Sequence, residues 1–188
     1  MPVRRTATAV SALSAALLSA TLLSAAPATA ATAATIHPGA DDSACRHWYN
    51  DGALDVRLEN IPDPVVAGEW AEFDYRITNT LDVPVDGLVT LAEITAYDTL
   101  DGSDVPVTTE WFADGAWTPL TTRGWYDWFG TTDALQPGES ATARLRVLVA
   151  ADAPDWALGS AVIGGAHLTP QSCERTLTDL EFDIVEAS

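Results

Sequence analysis

The chain alternates. Leu54, Val56 and Leu58 are interleaved with Asp55, Arg57 and Glu59, and Ala71, Phe73, Tyr75 and Ile77 with Glu72, Asp74, Arg76 and Thr78. Ala141, Ala143, Leu145, Val147 and Val149 alternate with Thr142, Arg144 and Arg146, and Leu180, Phe182 and Ile184 with Glu181 and Asp183. A period of two places one face of a strand in a core and the other in water. A helix needs spacings of three and four, which no segment beyond residue 45 sustains. Leu88 to Tyr97 is more continuously apolar, as expected of a central strand covered on both faces. The expectation is an all-β antiparallel sandwich of about 7–9 strands, with about eight runs in view.

Turn chemistry agrees. Asp114-Gly115 lies between Trp111-Phe112-Ala113 and Ala116-Trp117-Thr118, which predicts a two-residue type I′ hairpin. Counting inward, Phe112 faces Trp117, an aromatic cross-strand pair expected to serve packing. Asp86-Gly87, Asp101-Gly102 and Pro137-Gly138 mark further turns, and Gly164-Gly165 reads as a bulge or bend.

The N-terminus differs in kind. Arg4 and Arg5 precede an apolar Ala/Leu/Ser stretch from Val10 to Ala26, and Ala28-Thr29-Ala30 forms a small-residue cleavage site. Residues 1–30 read as a secretory signal peptide, cut after Ala30 with Ala33 as the alternative. The stretch is short and diluted for a membrane span of about 20 residues. Residues 31–44 read as a flexible leader and residues 45–188 as one domain. The product is expected to be secreted (extracellular), with no membrane association after signal cleavage. Arg-only, Ala-rich usage suggests GC-rich coding, and so a bacterial exported protein.

Charge narrows the functions. The protein has 188 residues and a formal net charge of -18, with 27 acids and 9 basic residues, none of them Lys. All 27 acids and seven of the arginines lie beyond residue 40. Such a surface cannot displace phosphate counterions or adsorb to anionic lipid through basic patches, so nucleic acid is excluded as a usual partner. The acids fit the outward positions of strands and turns.

Two motifs carry a resemblance. The run Ile61-Pro-Asp-Pro-Val-Val-Ala-Gly-Glu-Trp-Ala-Glu-Phe-Asp-Tyr-Arg-Ile-Thr-Asn-Thr80 resembles the start of bacterial extracellular immunoglobulin-like domains. There, a Gly-Glu turn leads into a strand ending in Thr-Asn-Thr, followed by a polar turn with Pro. Leu135-Gln-Pro-Gly-Glu-Ser-Ala-Thr-Ala-Arg-Leu-Arg-Val147 is similar to their second Pro-Gly-Glu-Ser approach to a core strand. The resemblance implies an immunoglobulin-like antiparallel β-sandwich and leaves activity open, because such modules act as spacers, adhesins or binding units. Cys45 and Cys173 sit outside the central strands, unlike the antibody bridge.

Candidate chemistry is sparse. Trp111 to Phe129 holds four of the seven tryptophans. Gly124-Trp-Tyr-Asp-Trp-Phe-Gly130 has adjacent aromatics that cannot all face one core, so Trp125, Tyr126 and Trp128 form the candidate ligand surface. Its readings are a loop packed on the sandwich, a protein contact, or a sugar platform beside Asp127 and Glu110. Asp98, Asp101 and Asp104 flank a Gly turn at a spacing open to Ca²⁺, but the EF-hand pattern is missing and a solvated turn is the simpler reading. His37, His47 and His167 are scattered. No Gly-x-Ser-x-Gly, phosphate loop or cofactor fingerprint occurs, and no catalytic, metal-binding or cofactor-binding residue is assigned. The expected function is a non-catalytic structural or protein-interaction role. A carbohydrate-binding module around Trp125–Trp128 is the alternative, and a small secreted hydrolase the third reading. An extracellular protein or a cell-envelope glycan is the expected partner.

Two cysteines in an exported chain read as one disulfide, Cys45–Cys173, contributing on the order of 4–5 kcal/mol through loop closure. The unreduced protein is therefore expected to show no reactive thiol, and two after denaturation and reduction. Two thiols before reduction would remove the bridge.

Overall fold

The computed structural model describes residues 34–38, 48–50, 54–123, 126–168 and 173–187. The expected signal peptide, Cys45, His47, Trp125 and the side chains of Tyr126 and Cys173 lie outside that description. In chain order the strands are β1 (Ala34–His37), β2 (Trp48–Asn50), β3 (Leu54–Glu59), β4 (Val65–Val66), β5 (Trp70–Asn79), β6 (Leu88–Asp98) and β7 (Asp104–Val105). They continue with β8 (Val107–Ala113), β9 (Ala116–Pro119), β10 (Thr121–Arg123), β11 (Tyr126–Thr132), β12 (Ser140–Val149), β13 (Ala157–Leu168) and β14 (Cys173–Val185). Among the described residues there is no helix, and eight strands have six residues or more. The six shorter ones add short pairings at strand ends and edges, which period-two patterning over two to four residues cannot reveal.

Two sheets face each other. The first runs β9-β8-β12-β5-β3, and the second runs β14-β13-β6-β11-β10, with β2 and β4 on the outer edge of β14. Alternation sets this directly: Ala71, Phe73, Tyr75 and Ile77 of β5 are buried beside Leu145 and Val147 of β12. Ile163 and Phe182 are buried from the second sheet. Each large apolar side chain so enclosed contributes roughly 1.5–3 kcal/mol.

Tyr75 ties the layers together. Its ring is fully buried, its hydroxyl donates to the Gly164 carbonyl of β13 at 2.7 Å, and Phe129 of β11 meets it edge-on with centroids 5.0 Å apart. Gly164 and Gly165 keep regular register with β6 and β14, so the expected bulge is absent. They serve close approach instead. A Cβ on Gly165 would run into the Ile77 side chain, and one on Gly164 would meet the Thr176 carbonyl.

The leader expectation is also corrected. Residues 34–37 form β1, which pairs parallel with β12 at Ala34 and Thr35 and antiparallel with β11 at Ile36 and His37. Ile36 is buried, and a Cβ on Gly130 would stand 2.6 Å from its Cγ2 and 2.8 Å from the His37 carbonyl. Small polar neighbours hid this strand, since one buried Ile gives no periodicity.

The two resemblance motifs meet in space. Asn79 is fully buried; its backbone N–H donates to Glu139 O, its carbonyl accepts from Gly138 N–H, and its side-chain amide donates to Val83 O and Leu135 O. Its Oδ1 accepts from Leu81 N–H at 2.9 Å. Every polar atom of this residue is partnered, as burial requires.

Tyr75→Phe is expected to cost about 1–3 kcal/mol, because the buried Gly164 carbonyl loses its donor. Burial also pushes the Tyr75 phenol well above its ordinary 10.0. Above pH 10 the unfolded chain releases this proton while the folded chain holds it, so stability falls as pH rises. The Phe variant should lose less stability between pH 9 and 11 in denaturant titrations; an unchanged slope would refute the assignment.

Candidate functional site

The outward face of the first sheet carries an ordered group of polar and aromatic side chains. β3 presents Asp55, Arg57 and Glu59; β5 presents Trp70, Glu72, Asp74 and Arg76; β12 presents Arg144 and Arg146; β8 presents Glu110 and Phe112; β9 presents Trp117. The register then interleaves them. Arg146 lies opposite Glu110 on one side and Glu72 on the other, while Phe112 lies opposite Trp117.

The result is a ladder of rings and guanidinium groups. Arg146 stacks over Trp70 at 4.0 Å and over Trp117 at 4.4 Å from the ring centroids. Arg144 stacks over Trp117 at 5.2 Å and Phe112 at 5.0 Å. Phe112 and Trp117 meet edge-to-face at 5.3 Å. Contacts of this kind contribute about 0.5–2 kcal/mol each, more as water is excluded. Arg146 also donates through Nε at 2.8 Å and through its second guanidinium nitrogen to Glu110, a pair about four-fifths buried. Arg144 pairs with Glu72, Arg57 with Asp55, and Arg76 with Glu59.

This face differs electrostatically from the rest of the chain. It holds four of the seven arginines beyond residue 40 against only five of the 27 acids, leaving three arginines for the other 22 acids. It is nearly neutral and internally paired. Trp70 and Phe112 remain 40% and 37% exposed.

The sequence-derived surface fares differently. Trp128 is 4% exposed and joins Val89, Leu91 and Ala166 in a cluster apart from the main core, so it is withdrawn from the candidate surface. A register shift between Trp128 and Gly130 lets Phe129 enter the main core, which divides the adjacent aromatics. Val89 and Leu91 in this cluster, with Leu88 and Ala92 in the main core, confirm β6 as a strand covered on both faces. Trp125 and the Tyr126 side chain lie outside the described residues. The Asp114-Gly115 turn has φ of 50° and 82°, and the Phe112–Trp117 register is as expected from type I′ geometry. Those two rings point outward, however, so they do not pack the core; Trp111 does.

The remaining candidates separate. Asp98 Oδ1 accepts from Leu100 N–H at 2.7 Å and Asp101 Oδ1 from Ser103 N–H at 2.8 Å, each closing its own turn. The Ser103 bonds hold the Asp101 carboxyl below its ordinary range. His37 lies 3.5 Å from Asp133 at the surface, and His167 is half-buried in β13. Glu93 on β6 is raised above its ordinary range, first by partial burial and then by the charge of Asp127. Among the described residues no three His, Cys, Asp or Glu side chains gather in a way that could hold a metal ion. Trp70, Arg144 and Arg146 were missed as a group because their meeting depends on strand register.

Comparison with known proteins bears on the fold. No protein-family model matches the chain, and no curated protein matches it. Among solved structures, AvmM, which catalyzes macrocyclization in alchivemycin A biosynthesis, superposes with a TM-score of 0.54 at 14% identity over 73% of this chain and 92% of its own. A cohesin module from a Clostridium perfringens family 33 glycoside hydrolase gives 0.42 at 12% identity, covering 74% of this chain and all of its own. A PapD-like domain of human CEP192 gives 0.39 at 14% identity, covering 73% and 88%. The chain has an immunoglobulin-like β-sandwich fold, and its structural neighbours have diverse roles.

Proposed function

We propose that this chain is a secreted, single-domain, non-catalytic member of the bacterial extracellular immunoglobulin-like modules, and that it binds an extracellular protein through the outer face of its first sheet. The observation that carries this reading is the Trp70–Arg146–Trp117–Arg144–Phe112 ladder. Trp and Arg are the side chains most enriched among binding hot spots, and rings already clamped by guanidinium groups lose little freedom on association. Near-neutral charge on this face removes the self-repulsion that the other acidic surfaces impose on an acidic partner.

The same stacking weighs against the glycan alternative. Sugar rings bind by lying flat on an indole face, and here guanidinium groups occupy ring faces of Trp70 and Trp117. A hydrolase would draw on shifted, clustered carboxylates; here Glu93 alone is raised, by partial burial and the charge of Asp127, on the other sheet. The disulfide belongs to the same proposal. Trp48 of β2 pairs with Cys173 of β14, which brings the chain three residues beyond Cys45 to the other cysteine.

The test uses Trp70→Ser/Phe112→Ser, two exposed positions whose loss should leave the strand content unchanged by circular dichroism. Cross-linking capture from the source organism's medium should recover a partner with the parent protein and at least tenfold less with the variant. Equal recovery, or retained binding on a cell-wall glycan array, would sink the reading. Arg146→Ala should lower stability by about 2 kcal/mol as Glu110 loses its partner and the indoles lose their cation.

A further inference from the structure

β14 is paired on one side by β13 from Cys173 to Asp183. On its other side, β2 takes Cys173 to Arg175 and β4 takes Ile184 and Val185, both parallel. Between them, from Leu177 to Asp183, no strand among the described residues pairs with the outer edge. The chain that could have covered it, β3, has crossed to the first sheet to pair with β5. An unpaired edge offers a row of N–H and C=O groups spaced for another strand. Seven residues span about 23 Å at strand rise.

The edge is bordered by concavity and charge. Two adjoining clefts of about 400 Å³ each share Leu158 and Asp183; one also involves Ile61 and Phe182, the other Trp156. Leu180 and Leu58 are only half-buried at this open side of the sandwich, and Trp156 is 48% exposed. Asp179, Glu181 and Asp183 project outward and exposed along the strand, with Asp63 and Asp155 at the clefts. The Tyr97 hydroxyl donates to Glu181 at 3.3 Å.

We propose that the Leu177–Asp183 edge takes up an extended basic peptide segment as an added strand. Main-chain hydrogen bonds to β14 supply affinity. Lys or Arg side chains on one face of the segment run beside Asp179, Glu181 and Asp183. Alternate apolar side chains on its other face cover Leu180 and Phe182. A second copy of this chain is a poor occupant, because pairing β14 with itself would bring like carboxylates together. β2 and β4 close the two ends, so the slot admits about seven residues in strand geometry and affinity should stop rising beyond that length.

The probe is the acetylated, amidated peptide Lys-Val-Lys-Val-Lys-Val-Lys, added to the disulfide-intact protein. Binding should shift the amide resonances of Leu177 to Asp183 and leave those of β8 and β9 in place. The same peptide N-methylated at alternate residues keeps its charge and loses its strand hydrogen bonds; it should bind at least tenfold more weakly. Asp179→Lys/Glu181→Lys, at exposed positions, should weaken the parent peptide at least tenfold, while Trp70→Ser/Phe112→Ser should bind it normally. Equal affinity of the N-methylated peptide would reduce the site to simple charge attraction and overturn the proposal. So would absence of binding, shifts confined to the first sheet, or a peptide-free dimer in sedimentation lost on Asp179→Lys/Glu181→Lys.

Discussion

The hydrogen bond from the Tyr75 hydroxyl to the Gly164 carbonyl is the contact on which the sandwich depends. A phenol enclosed among apolar side chains needs a partner, and the Gly164 carbonyl of β13 supplies it across the layer gap. The second sheet comes close to the first at Gly165, where a Cβ would collide with the Ile77 side chain, while one on Gly164 would meet the Thr176 carbonyl of the adjoining strand β14. Phe129 then fills the space beside Tyr75, and Trp111 closes on Phe129 at 5.5 Å. One polar contact, two glycines and three rings thus set the spacing and lateral register of the layers.

That register decides the outer surface. Because Tyr75, Phe73, Leu145 and Trp111 must point inward, their neighbours Glu72, Asp74, Arg144, Arg146, Glu110 and Phe112 must point outward. On neighbouring strands these become laterally adjacent, and the cations settle between the rings. A chain with a net charge of -18 so acquires one nearly neutral, aromatic-rich face without departing from strand alternation. The acids crowd elsewhere, including the outer edge of β14, which has no strand partner from Leu177 to Asp183 among the described residues; there they also discourage edge-to-edge association.

Local signals were legible wherever the physics is local. The Asp114-Gly115 turn demands positive φ at two successive residues, and that alone fixed the Phe112–Trp117 pairing. The Thr-Asn-Thr and Pro-Gly-Glu-Ser motifs marked strand boundaries, and the structure joins them through Asn79, whose five hydrogen bonds span both turns. Trp128 was misplaced because side chains of β6 and β13, Val89, Leu91 and Ala166, bury it on the other side of the second sheet, and a cluster drawn from separate strands leaves no local trace. The Gly164-Gly165 pair was read as a bulge or bend, when its pairing stays regular and the two glycines leave room for the Thr176 carbonyl of β14 and the Ile77 side chain of the first sheet.

The amino-acid sequence by itself determined the all-β class, the long strands β3, β5, β6, β12 and β14, the central position of β6, the hairpin and the acidity of the chain. These follow from side-chain period, positive-φ turns and composition, each set within a few residues. Only the tertiary structure decided that residues 34–37 join both sheets, that Trp128 is buried, that two arginines stack between three rings, and that the outer edge of β14 from Leu177 to Asp183 has no strand partner among the described residues. Each of those depends on which strands become neighbours and in what register. That choice is made by contacts between residues far apart in the chain, such as Tyr75 with Gly164, and no local pattern encodes it.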